Sequence, residues 1–381
     1  MFHFIGRAHA GVWAGAVLAA LLAAVGYAQW PSPAGSPANS APIAAADSGA
    51  TAGQPADDGA ASDRTADDPT ADDPVTEHRA TDGPALAGRP ADVPTATVAA
   101  EPFLNPEQLA REFCEQLAAR AKSPGVVSPR ELVRQVALET TFPMQPLAPP
   151  VRKLSPEAIY ARAKASVVIV GGIRPSRRPC MDGSDWNGSF ATGFVVRGDG
   201  VILTNAHVIE AFAHTRAMGV MTHDGRVFPV TAVLAADRKN DVAAIQVEAD
   251  DLVPLPIAAD VPVGAAIYCL SHPALDCCGT ENAFWTFTSG MVSGKFRLRL
   301  DSRHPVDALA ITADYAQGSS GGPVLDERGA VVGMICHTKS LCAGGDPGAM
   351  QMTWKLTRPS SSILRLLGSE APAVATASAV P

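Results

Sequence analysis

From Ser155 onward the chain consists of short apolar runs separated by Gly, Asp, Asn or Pro, and this pattern limits the possible folds most strongly. The runs lie at 167–170, 191–197, 201–205, 217–222, 227–234, 242–248, 265–270, 284–288, 290–294, 308–312, 323–325 and 330–336. Many short strands at close spacing, with no long helix between them, predict an all-β barrel or sandwich. A helix at 156–164 should precede the strands and another at 359–367 should follow them.

Residues 101–150 have a different character. Leu109, Phe113 and Leu117 recur at helical spacing after an Asn-Pro-Glu start, and a second amphipathic stretch occupies 129–139. The spacing predicts two helices followed by a Pro-rich segment at 143–150. We interpret 101–150 as a helical appendage that packs on the rest; inhibition or regulation of the main domain is the alternative.

The first hundred residues carry no pattern of a packed core. Residues 1–29 combine Arg7 with a charge-free apolar run, which predicts a cleaved signal peptide or an uncleaved membrane anchor. Either would place the rest of the chain outside the cytoplasm, periplasmic, secreted or membrane-anchored. Residues 30–100 are rich in Ala, Pro and Asp, repeat Thr-Ala-Asp-Asp-Pro and predict a disordered linker. Residues 369–381 are predicted to be a disordered tail.

Charge argues against nucleic acid as a partner. The chain has a net charge of −8, and the linker alone, with eleven Asp or Glu and three Arg, accounts for all of it. The remaining residues are balanced, so no basic surface is expected.

Three polar segments point to one chemistry. His207 follows the apolar strand 201–203, Asp241 begins the next strongly apolar strand, and Ser320 lies in the glycine-rich turn 317–323. A serine needs an adjacent base to become a nucleophile, and an aspartate can fix the tautomer of that base. The amides of Gly318 and Ser320 would then face the developing oxyanion. Taken singly, each segment has an ordinary alternative: a flexible linker, an exposed histidine or a solvated aspartate.

Taken together, the segments Thr-Asn-Ala-His-Val, Asn-Asp-Val-Ala-Ala-Ile and Gly-Ser-Ser-Gly-Gly-Pro resemble the signature motifs of trypsin-like serine proteases of the HtrA (Deg) type. The resemblance covers about residues 155–367. It implies a protease domain at 151–368 made of two packed antiparallel β-barrels (chymotrypsin-like). His207 and Asp241 would come from the first barrel and Ser320 from the second. An extended peptide would lie in the cleft between them, partly by strand addition.

The resemblance also implies a function. It predicts a serine endopeptidase that hydrolyses exported or misfolded proteins through an acyl-enzyme, without cofactor or metal. The alternative is a catalytically silent protease fold that binds peptides or acts as a scaffold. The PDZ domain that HtrA proteases usually carry is not expected, and the oligomeric state is left open.

The residues of the pocket that would bind the substrate side chain before the scissile bond are less well defined. Asp314 lies six residues before Ser320, where trypsins place a pocket acid, and it would favour Arg or Lys in the substrate. His337 would instead favour an acidic side chain. Ile169-Val170-Gly171-Gly172 resembles an activated trypsin N-terminus, but we interpret it as coincidence because Ser319 replaces the aspartate that would bind the freed amine.

The cysteines allow two further interpretations. Outside the cytoplasm six of the seven could pair, and Cys336 and Cys342 are close enough in sequence to close a small loop. A metal site could draw on two histidines and three cysteines, namely His272, Cys277, Cys278, His337 and Cys342, although no C-x-x-C pair supports it.

Overall fold

The computed structural model describes residues 102–176, 185–275, 281–299, 304–345 and 349–369. The predicted signal or anchor, the linker, Cys180, Cys277, Cys278 and most of the tail lie outside these ranges. Within them, no helix has the length and apolar character that crossing a membrane requires.

Twelve strands of the described residues form two closed barrels. The first contains β1 (Val167–Pro175), β2 (Trp186–Arg197), β3 (Val201–Thr204), β4 (Ala217–Met221), β5 (Val227–Asp237) and β6 (Val242–Val247). The second contains β7 (Ala266–Ser271), β8 (Thr286–Leu298), β9 (Val306–Ile311), β10 (Pro323–Asp326), β11 (Val331–Cys342) and β12 (Met350–Pro359). The order around the first barrel is β1-β2-β3-β6-β5-β4, and the second repeats it as β7-β8-β9-β12-β11-β10. The predicted pair of antiparallel barrels is confirmed.

The strands differ from the prediction in two places. Residues 284–294 were expected to form two short strands, but β8 runs without a break because Gly290 pairs with Ile267. A Cβ at Gly290 would contact the backbone of Ala313, so this glycine permits close approach instead of a turn. Strand β12 was not predicted at all, because its first half is exposed and lacks a clear apolar alternation.

Three of the five α-helices in the described ranges begin with the same local signal. They are α1 (Pro106–Arg120), α2 (Pro129–Val136) and α3 (Pro156–Lys164), and each follows a capping Asn105, Ser128 or Ser155. The cap side chain accepts a backbone N–H of the first turn, and proline occupies the first helical position. The other two helices are α4 (Ala206–Ala211) and α5 (Ser360–Leu366).

Helix α1 packs on the first barrel through side chains that enter slots left by glycines. Phe113 and Leu117 are fully buried. A Cβ at Gly171 would lie 2.7 Å from the Phe113 ring, and one at Gly219 would lie 2.7 Å from Leu117 Cδ1. The helix therefore belongs to the hydrophobic core of the first barrel.

Residues 140–154 cross both barrels as an extended strap. Its backbone hydrogen bonds join the strap to β5, to the inter-barrel connection, to the hairpin after β10 and to the end of α5. They are Ala236 N to Thr140 O at 3.1 Å, Ile257 N to Leu147 O at 3.2 Å, Leu154 N to Glu327 O at 2.8 Å, and Phe142 N and Met144 N to Leu366 O and Leu367 O at 2.9 Å. The strap thus ties the barrels together along one side.

Candidate active site

The first candidate residue, His207, lies in the first turn of α4, just beyond the end of β3. The flanking Ala206, Val208 and Ile209 are buried, so this short helix is anchored on the barrel. The His207 side chain is 38% exposed. Sequence reasoning placed the histidine after a strand but did not predict the helix, because six residues are too few for a periodic pattern.

Asp241 lies where the sequence predicted it, and it contacts His207 twice. Its Oδ1 accepts the His207 backbone N–H at 2.9 Å, and its Oδ2 lies 2.7 Å from His207 Nδ1. The Asn205 side chain donates to the Asp241 carbonyl at 2.7 Å. The Asp241 backbone has φ of 55°, a left-handed conformation that Asp tolerates better than most residues. The turn into β6 therefore aims the carboxylate at the histidine.

A third donor to the Asp241 carboxylate comes from the second barrel and was missed by sequence reasoning. The Cys336 thiol of β11 donates to Asp241 Oδ2 at 3.0 Å. Burial, and then the charge of Asp241, raise the pKa of Cys336 well above its usual value. The sulfur therefore remains a protonated donor at neutral pH.

His207 and Asp241 each stabilise the charged form of the other. Burial opposes the charged form of both groups and is the largest single contribution to each shift. For His207, the charge and hydrogen bond of Asp241 outweigh burial, so the pKa of His207 is raised. For Asp241, the charge of His207 and the hydrogen bonds from His207 and Cys336 outweigh burial, so the pKa of Asp241 is lowered. A neutral imidazole beside this carboxylate is thus a stronger base than free histidine.

Ser320 lies in a tight turn against β2. Gly318 and Gly321 both have φ of 86°, a conformation that favours glycine. A Cβ at Gly321 would collide with the Thr192 carbonyl and the Thr204 hydroxyl. The turn is therefore pressed against the end of the strand that leads to His207.

Some polar groups of this turn form hydrogen bonds within the described part of the chain and others do not. Ser319 is fully buried, and Ser271 Oγ donates to its hydroxyl at 3.0 Å. The Ser319 amide donates to Ala316 O at 3.1 Å. Among the described residues, the amides of Gly318 and Ser320 and the hydroxyl of Ser320 have no hydrogen-bond partner, and none joins Ser320 to His207. Hydrogen bonds of catalytic serines are often long in unliganded sites.

Asp314 differs from its predicted setting. Its carboxylate is 87% exposed and forms an ion pair with Lys355 Nζ at 3.3 Å. An acid on the floor of a shielded pocket would differ from this exposed, paired setting, and a role of Asp314 in selecting Arg or Lys stays a prediction. His337 is half-buried in β11, directly after Cys336, and its carbonyl accepts the Tyr315 hydroxyl at 2.8 Å.

The trypsin-like Ile-Val-Gly-Gly segment has a packing explanation. Ile169 is fully buried in the middle of β1, paired with Thr192 on one side and Met221 on the other. Gly171 accommodates Phe113, as described above, and Gly172 accommodates Phe212. The glycines therefore serve core packing.

Cys336 and Cys342, which are close enough in sequence to close a small loop, are not bonded to each other. Both are free thiols, as is Cys269. Six residues of extended strand hold Cys336 and Cys342 about 20 Å apart, beyond any disulfide.

His272, considered above as a metal ligand, has a different use. It is fully buried, and its Nδ1 accepts the Trp285 backbone N–H at 3.0 Å. Its ring packs edge-on against Phe284 and Trp285.

Comparisons with known proteins show what this region of the chain is similar to. Residues 191–334 match the family model of the trypsin-like peptidase domain. A probable periplasmic serine endoprotease DegP-like of Chlamydia pneumoniae is 34% identical over 145 residues, which cover 38% of this chain and 28% of that protein. The mitochondrial serine protease HTRA2 of Bos taurus is 31% identical over 194 residues, covering 49% of this chain and 37% of the relative. The chain thus spans well under half the length of these relatives.

Among solved structures, the HtrA-type protease AlgW with a decapeptide superposes with a TM-score of 0.45 at 18% identity. The alignment covers 56% of this chain and 67% of that one.

Proposed function

We propose that this chain, which carries a trypsin-like peptidase domain resembling those of HtrA and DegP proteases, is a serine-type endopeptidase. The observation that carries the proposal is the double contact of Asp241 with the amide and Nδ1 of His207, at 2.9 and 2.7 Å. An aspartate bound to Nδ1 holds the tautomer in which Nε2 is free to accept a proton. Removing a serine proton is the step that this arrangement serves best.

In the proposed mechanism, Ser320 Oγ attacks the scissile carbonyl while His207 Nε2 takes its proton. His207 then gives that proton to the leaving amine, and water hydrolyses the acyl-enzyme by the same route in reverse. The amides of Gly318 and Ser320, which have no partner within the described ranges, would stabilise the oxyanion in both steps. Asp241 remains ionised and stabilises the imidazolium.

We propose extended segments of exported or misfolded proteins as the substrates. The support is the similarity to relatives named periplasmic serine endoproteases. Another relative is mitochondrial, so the compartment depends on the N-terminal segment, which we propose directs this chain out of the cytoplasm. His337, adjacent to Cys336, remains our candidate for primary specificity, with acidic side chains as the favoured class.

The proposal is tested on the full chain with a fluorophosphonate probe, which reacts with activated serines, and with casein cleavage. Wild type should be labelled and active, and Ser320→Ala should lose both. Ser340→Ala, at an exposed serine in β11, is the matched control and should keep both. An unlabelled wild type would favour the silent peptide-binding alternative and refute the assignment.

A further inference from the structure

Thr192 occupies an unusual position in the first barrel. It is fully buried in β2, on the edge that β3 leaves open, because β3 pairs with β2 only from Phe194 onward. Three of its hydrogen bonds reach the second barrel and the serine turn: Thr192 N to Ser320 O at 3.0 Å, Thr192 Oγ1 to Gly318 O at 2.9 Å, and His272 N to Thr192 Oγ1 at 3.1 Å. Thr204 Oγ1 donates to the Thr192 carbonyl at 2.8 Å. Every polar group of Thr192 is therefore engaged around the serine turn.

These bonds matter because carbonyl directions determine amide directions. A trans peptide is planar, so each N–H points opposite to the preceding carbonyl. Four consecutive carbonyls of the turn are held: Gln317 O by Ala274 N at 2.6 Å, Gly318 O by Thr192 Oγ1, Ser319 O by Gly322 N at 2.9 Å, and Ser320 O by Thr192 N. The Ser320 amide shares its peptide with Ser319 O, and Thr192 binds the carbonyls of the two peptides that flank it, Gly318 O and Ser320 O. Thr192 thus restrains the Ser320 amide from both sides, through the neighbouring peptides.

We propose that Thr192 is a positioning residue of the site, which holds the serine turn so that the amides of Gly318 and Ser320 stay directed at a common point. The inference rests on the proposed endopeptidase function. Without the Thr192 hydroxyl, Gly318 O and the His272 amide lose their partner in a buried setting. The backbone of residues 317–319, with a glycine at its centre, can then rotate toward other partners.

The decisive substitution is Thr192→Val, which keeps the size and the backbone bond to Ser320 O but removes the hydroxyl. Loss of one oxyanion donor lowers kcat by about 10²–10³. Misplacement of a reacting group by about 1 Å lowers the rate by about 10². Because the backbone bond remains, we expect kcat to fall about 10- to 100-fold, with KM within about threefold of wild type.

Two variants keep the test sharp. Thr192→Ser restores the hydroxyl and should return kcat to within about threefold of wild type. Thr357→Val is the matched control, because Thr357 is an equally buried threonine whose hydroxyl donates to Leu309 O at 3.4 Å within the second barrel. If Thr192→Val does not fold, Thr192→Cys, with a weaker donor, takes its place and should give an intermediate kcat.

A further measurement separates positioning from general destabilisation. A peptide aldehyde forms an oxyanion with the active serine, whereas the free product peptide does not. In Thr192→Val the aldehyde inhibition constant should rise in proportion to the loss of kcat/KM, with product affinity unchanged.

The outcomes are distinct. Wild type that fluorophosphonate does not label removes the proposed function and this inference with it. Labelled wild type with a Thr192→Val kcat equal to that of Thr357→Val removes only the role of Thr192. Equal losses of aldehyde and product affinity would also overturn it, because they would show a damaged fold instead of a misdirected turn.

Discussion

The buried His272 predicts an acid sensitivity that can be measured. The side chain is fully buried, between the aromatic rings of Phe284 and Trp285, and Nδ1 is occupied by the Trp285 amide. Burial lowers the pKa of His272 from 6.5 to about 3, with a partly opposing effect of the Val168 backbone. The folded protein therefore holds this histidine neutral.

The direction of the effect follows from the lowered pKa. The unfolded chain takes up a proton below pH 6.5, whereas the folded chain does not until about pH 3. The contribution of neutral His272 to the free energy of unfolding is fully present above pH 6.5 and is lost as the pH falls toward 3. One pKa unit corresponds to about 1.4 kcal/mol, so at about pH 5 the free energy of unfolding should fall by about 2 kcal/mol.

The assay is urea unfolding of the full chain at about pH 7 and about pH 5, for wild type and His272→Asn. Asparagine keeps an acceptor for the Trp285 amide but cannot take up a proton. Losing the ring costs stability equally at both pH values, and the carboxylates titrate alike in both proteins. Between these two pH values, wild type should therefore lose about 2 kcal/mol more than the variant. Equal losses would refute the reasoning, because they would mean that His272 titrates normally in the folded protein.

Three further predictions concern the pair and the core. The raised pKa of His207 means that kcat/KM should rise with pH through an apparent pKa above about 6.5; Asp241→Asn should lower that pKa and reduce kcat by about 10⁴, as in the serine-protease template. Cys336→Ser keeps a donor to Asp241 and should preserve kcat. Cys336→Ala removes the donor and should raise the apparent pKa of His207, which a pH–rate profile would detect. Superimposable profiles of wild type and Cys336→Ala would contradict this. Phe113→Ala should lower the free energy of unfolding, measured with urea, by about 3–5 kcal/mol. Phe103→Ala, at an exposed position, should change it by under about 0.5 kcal/mol. Similar losses in the two variants would show that α1 is not part of the core.

Local patterns in the sequence predicted the features that depend on neighbouring residues. The helix starts at Asn105, Ser128 and Ser155 follow from capping chemistry, which involves residues three apart. Most strands followed from apolar runs bounded by turn residues, and the two barrels followed from their number and the family resemblance. Strand β12 was missed because its exposed half is stabilised by pairing with β11, which no local pattern records.

In the candidate site, too, some features depend on neighbouring residues and others on contacts between distant segments. The sequence by itself determined the residue types and their order, His207, Asp241 and Ser320, because each lies in a distinctive local segment. Only the tertiary structure decided the left-handed turn of Asp241, the exposure of Asp314, the thiol of Cys336 against Asp241 and the hold of Thr192 on Gly318. The last two contacts join residues 95 and 126 positions apart. The packing of one closed barrel on the other creates them, and no spacing within a single segment encodes that packing.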